Sequence, residues 1–122
     1  MELHKIVREA SDAAMAQMKA GAEAIKAHEV LKGVIARAGL DHARQHTSGY
    51  GMAPGFPPSW GEPTNMFGGS KDVLQANMVM TIEPGVFIKQ EGLGARLIDN
   101  CVITATGIEL LSTTPQDIAV VD

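Results

Sequence analysis

Four histidines, one cysteine and a cluster of aromatic residues are the groups in this sequence whose types could support chemistry. His4, His28, His42 and His46 form no pair at i, i+4 on one helix face, so they do not read as a zinc cluster. His4 and His28 read as exposed helix residues. Cys101 lies in the apolar run Cys101-Val102-Ile103-Thr104 and reads as a small core residue; being alone, it forms no internal disulfide. His46 stands apart because of its surroundings. It opens a segment, 46–71, in which glycine and proline recur and which holds Tyr50, Phe56, Trp60 and Phe67. Such a composition excludes regular helix. A surface loop is the plain reading, yet long loops that keep large aromatic side chains are often binding-site loops. The glycine-rich Gly49–Gly55 stretch neither follows a strand nor opens a helix, which argues against dinucleotide binding. No phosphate-binding glycine loop, paired-cysteine site or GxSxG elbow is present.

Two kinds of element flank this segment. Residues 3–38 carry helical periodicity: Ile6, Ala10, Ala13, Ala14, Met18 and Ala22 recur at three- and four-residue spacing, and Ile25, Leu31, Val34, Ile35 and Ala38 repeat the pattern. Gly21 is the natural break between two helices, and Gly39 ends the second. Beyond Ala76 the pattern is β. Residues 78–88 read as a strand pair or bent strand with a corner at Pro84-Gly85, and residues 95–104 as a strand after a Gly92-Leu93-Gly94 turn. Ala105-Thr106-Gly107 is a hairpin turn into Ile108–Ser112. Two N-terminal helices followed by a curved antiparallel sheet make an α+β fold, and 122 residues make one domain, 1–122.

The formal charge of −4 comes without a basic cluster, which argues against nucleic acid as a partner. No apolar run approaches the ~20 residues that span a bilayer, and the charged N-terminus lacks a signal core. No membrane association is expected, and a cytoplasmic location is the default.

Three ordered motifs resemble those of the creatinase/prolidase group of hydrolases, whose "pita-bread" fold also includes aminopeptidase P and methionine aminopeptidase. His46-Thr47-Ser48-Gly49-Tyr50-Gly51 is similar to HxxGHG, Thr81-Ile82-Glu83-Pro84-Gly85 to TxEPG, and Gly94-Ala95-Arg96-Leu97-Ile98-Asp99 to GxRxED. The resemblance covers essentially the whole chain and implies the C-terminal half of a pita-bread domain. Gly49-Tyr50-Gly51 with Phe56-Pro57-Pro58-Ser59-Trp60-Gly61-Glu62 looks most like the creatinase/ectoine-hydrolase branch.

Members with a dinuclear Mn, Co or Zn site use two aspartates, one histidine and two glutamates, hard donors that activate a bridging water. The resemblance implies that both aspartates precede this chain, that Tyr50 replaces the histidine and that Ile98 replaces one glutamate. Glu83 alone is kept, so no metal or other cofactor is expected. The same carry-over makes His46 a catalytic acid/base and Glu83 a catalytic carboxylate or cation partner. It makes Arg96 a substrate clamp, with Tyr50 and Trp60 lining the pocket. Plainer roles stand beside these: strand capping for His46, backbone anchoring for Glu83, structural ion pairing for Arg96 and packing for Trp60. Two functions follow. One is a truncated or degenerate C–N hydrolase, metal-independent if active, acting on a small amino-acid-like or peptide substrate. The other is a catalytically silent remnant serving as a binding or structural module. In either case a homodimer is expected, burying strand edges or a methionine-rich face on the first helix and strand 78–82.

Overall fold

A computed structural model describes residues 2–45 and 47–121 of the chain. Among the described residues two α-helices, α1 (Glu2–Met15) and α2 (Ala24–Arg37), precede seven strands. These are β1 (Gly49–Met52), β2 (Gly61–Met66), β3 (Val79–Ile82), β4 (Gly85–Ile88), β5 (Leu93–Arg96), β6 (Asp99–Ile103) and β7 (Ile108–Leu110). The helices bury stripes at three- and four-residue spacing: Val7, Ala10, Ser11 and Ala14 on α1, and Ala24, Ala27, His28, Leu31, Val34 and Ile35 on α2. Small side chains along α1 let the two helices approach closely. Gly39, with φ of 76°, ends α2 as its position predicts, its N–H reaching the Ala36 carbonyl at 2.9 Å. Gly21 is also left-handed but lies beyond the end of α1, which stops at Met15. Its N–H instead holds the Leu74 carbonyl at 2.8 Å, anchoring the connector to the chain that leads into β3.

A five-stranded antiparallel sheet in the order β2-β1-β3-β6-β7 packs against the helices, and β4 and β5 form a separate two-stranded sheet. Met66, Met80, Ile82, Cys101 and Ile103 supply the helix-facing side of the core. Alternation leaves Val79, Thr81, Asn100 and Val102 on the opposite face. The 78–88 region is therefore two strands in two sheets, divided at the Pro84-Gly85 corner.

Two expectations need correction. The 95–104 strand is interrupted at Leu97-Ile98, because β5 pairs with β4 whereas β6 pairs with β3. Leu97 N–H bonds the Pro84 carbonyl at 3.2 Å, so both chain crossings between the sheets occur side by side. Leu93 and Gly94 belong to β5 and only Gly92, left-handed at φ 63°, makes the turn. The 46–71 segment is likewise more than a loop: β1 and β2 form a hairpin with Gly49 opposite Met66 and Tyr50 opposite Asn65. Pro63 is accommodated because β2 is an edge strand.

Candidate functional site

Glu83 follows β3 directly, and its backbone N–H is fixed by the Ser48 carbonyl at 2.8 Å. Its side chain is 3% exposed and forms an ion pair with Nη2 of Arg96, which is 35% exposed. A carboxylate this deep costs several kcal/mol to desolvate unless it is paired, and Arg96 provides the pairing. The Pro84-Gly85 corner makes the geometry possible. Gly85 lies opposite Arg96 in the β4–β5 register, and a Cβ at Gly85 would lie 3.5 Å from Arg96 Cγ, so the arginine runs across the corner toward Glu83.

Tyr50 enters from β1. Its N–H bonds Thr81 Oγ1 at 3.1 Å, which ties β1 to β3 two residues before Glu83. Gly49 permits this approach, since a Cβ there would stand 2.0 Å from the Thr81 carbonyl oxygen. The phenol oxygen accepts a hydrogen bond from Trp60 Nε1 at 2.9 Å, and its own proton is available to the Glu83 side. Burial pushes the Tyr50 phenol above its ordinary pKa; the Trp60 bond opposes that rise and the neighbouring Glu83 carboxylate adds to it. Tyr50 is thus a neutral donor at the edge of the Glu83–Arg96 pair. Trp60 is 52% exposed, at the end of the connector that joins β1 to β2, and its ring centroid lies 6.0 Å from that of Phe56. Four of the predicted site residues, Tyr50, Trp60, Glu83 and Arg96, therefore form one continuous polar wall with an aromatic rim. His46 lies outside the described residues. An open cavity of about 330 Å³ borders β1 and β3, lined by Gly51, Met52, Glu62, Thr64, Met78 and Val79.

The donor chemistry of this wall does not fit a dinuclear metal centre. Glu83 is engaged by a guanidinium, Tyr50 is a protonated phenol, and Ile98 is an apolar side chain 55% exposed. Among the described residues no cluster of three or more His, Cys, Asp or Glu could hold a metal ion. Cys101 is a buried core residue whose thiol is pushed up to about 11 by burial, as befits a non-nucleophile. The structure also corrects the reading of His28. It is buried on α2, with Nδ1 2.8 Å from Ser48 Oγ. Its spacing with Ala24, Ala27 and Leu31 already placed it on the apolar face, a signal that the polarity of histidine masked. The methionine-rich face is corrected too. Met18, Met66 and Met80 are core residues, and the large apolar side chains exposed among the described residues include Leu110, Leu111, Val120 and Val121 but no methionine.

Two helices backed onto a curved antiparallel sheet, with a TIEPG corner and its partnering arginine, define a pita-bread hydrolase scaffold. The chain belongs to metallopeptidase family M24, whose model matches residues 1–105. It is 35% identical over 113 residues to the agropine synthesis cyclase of Rhizobium rhizogenes, covering 93% of this chain and 27% of that protein. It is 30% identical over 117 residues to the Xaa-Pro dipeptidase of Pyrococcus horikoshii, covering 96% and 32%. The X-Pro aminopeptidase of Thermotoga maritima superimposes with a TM-score of 0.89 at 29% identity, over 98% of this chain and 33% of that one. The chain thus spans about a third of the length of the relatives it matches, and it forms part of a pita-bread domain. Among the described residues no helix is long and apolar enough to cross a membrane.

Proposed function

We propose that this chain forms one wall of the active site of a creatinase- or Xaa-Pro-peptidase-like C–N hydrolase that works without metal on a small amino-acid-like amide or peptide. The observation that carries this reading is the buried Glu83 carboxylate paired with Arg96 beside the Tyr50 phenol. A divalent ion at Glu83 would have to displace a guanidinium and would find a phenol and an isoleucine where further donors are needed. The same three groups suit an organic substrate. Arg96 retains N–H donors for a substrate carboxylate, Tyr50 can donate to a carbonyl oxygen, and Glu83 can orient water or a substrate cation. His46 would transfer the proton to the leaving nitrogen. The Trp60–Phe56 rim offers an apolar surface to the substrate's side chain. The Rhizobium relative is named a cyclase and the Pyrococcus relative a dipeptidase, so the scaffold serves more than one reaction type.

The test joins elemental analysis to turnover. The dialysed protein is expected to hold no stoichiometric Mn, Zn or Co. It is expected not to hydrolyse Xaa-Pro dipeptides as an isolated chain; any hydrolysis of small amides should resist EDTA and vanish in Glu83→Gln. One or more metal ions per chain, or Xaa-Pro hydrolysis lost in Glu83→Ala and abolished by EDTA, overturns the proposal. A second reading, a binding module without turnover, is favoured by the exposed Ile98 in place of a glutamate. Saturable binding of a small amino acid or dipeptide, lost in Arg96→Met and unaccompanied by hydrolysis, would mark that case. We further propose that the protein acts in the cytoplasm as a homodimer; the buried lone cysteine accords with a reducing compartment.

A further inference from the structure

Ser48 occupies the point where three elements meet behind the polar wall. Its N–H bonds the Met66 carbonyl at 3.0 Å, which holds β2. Its carbonyl accepts the Glu83 N–H at 2.8 Å, which holds the corner. Its hydroxyl, fully buried, shares a hydrogen bond of 2.8 Å with His28 Nδ1 from α2. The next two residues are Gly49, pressed against Thr81, and Tyr50. A shift of Ser48 is therefore passed to both Glu83 and Tyr50, and no freedom at Gly49 absorbs it because that backbone lies against the Thr81 carbonyl. Thr47 reinforces the same junction, its hydroxyl bonding the Met66 carbonyl at 2.8 Å and the Gly49 carbonyl at 3.1 Å.

We propose that His28 is a positioning residue for the Tyr50–Glu83–Arg96 wall, acting through the Ser48 hydroxyl. It touches no substrate-facing atom. The apolar residues of the same helix face, Ala24, Ala27 and Leu31, fix distance but not direction. A hydrogen bond from an imidazole set in the helix supplies the direction. The role rests on reading the wall as the functional surface, but its test needs no turnover, so the two can fail separately.

The chain carries its own reporter. Trp60 is the only tryptophan and Tyr50 the only tyrosine, and they are hydrogen bonded to each other. The indole Nε1–H resonance of Trp60 therefore reports the placement of Tyr50. Tyr50→Phe defines the signal with that bond absent. In the full chain, His28→Leu is expected to move the resonance toward the Tyr50→Phe position, and His28→Asn, which can restore a polar atom near Nδ1, to move it back. A folded His28→Leu protein with the wild-type resonance overturns the proposal. If His28→Leu does not fold, Ser48→Ala removes only the hydroxyl. A wild-type Trp60 resonance in that variant overturns the proposal equally, and a displaced one supports it.

Discussion

Arg96 neutralises a carboxylate that water cannot reach, so the two members of the pair respond unequally to replacement. Arg96→Met leaves Glu83 buried and unpaired and is expected to lower stability by about 2–3 kcal/mol, at the low end for a broken buried pair because Arg96 is partly exposed. Glu83→Gln removes the buried charge itself and leaves Arg96 able to reach solvent, so its cost is expected to be smaller. Urea denaturation of both variants measures the difference, and equal losses would contradict this account of the pair. Gly49→Ala is the severest single change expected. Its Cβ would meet the Thr81 backbone oxygen, not a side chain that could turn away, and the soluble folded protein should be lost.

Helix α2 carries the one buried imidazole among the described residues, and this gives the protein an acid-sensitive component. Burial holds His28 below its ordinary value of 6.5; Arg44 and Lys32 act in the same direction, while Glu29 on the same helix opposes them. The unfolded chain therefore binds a proton that folded His28 resists. This contribution is complete above about pH 6.5 and declines as the pH falls through the window down to the lowered folded value, by at most about 1.4 kcal/mol per pH unit. Chemical denaturation of wild type and His28→Leu between pH 7 and 5 should show the steeper decline in wild type. Parallel pH profiles would remove His28 as its source. The elements differ in how plainly the sequence announced them. Residues 78–88 and 95–104 are rich in β-branched and apolar residues, and their strand character was legible. Gly49–Met52 and Gly61–Met66 have the composition of turns and are strands only because β3 offers its edge to β1, which in turn templates β2. The same dependence on partners hid Ser48. A serine between a threonine and a glycine looks like loop until Met66, Glu83 and His28 converge on it.

For the whole molecule, the edges of the large sheet decide the expected assembly. β7 ends the sheet, and Leu110 on that strand and Leu111 just after it are exposed. An open edge beside apolar side chains is poorly tolerated in an isolated monomer. Light scattering is expected to give a mass twice the chain's 12.9 kDa, and Leu111→Asp to shift it toward the monomer. A wild-type monomer across micromolar concentrations would eliminate the dimer.

The order of strands also carries a consequence in time. β4–β5 and β6–β7 are tight hairpins and β1–β2 a longer one, whereas β1 reaches β3 only after the excursion through β2. Hairpins close in microseconds, and pairings distant along the chain wait for loop closure. Tyr50 belongs to β1, and Glu83 follows β3. The two halves of the polar wall are thus made early and joined late. In pulse-labelled refolding, the Tyr50 and Glu83 amides, bonded across this junction to Thr81 and Ser48, should gain protection after those of the hairpins, so that the polar wall is the last part of the molecule to mature.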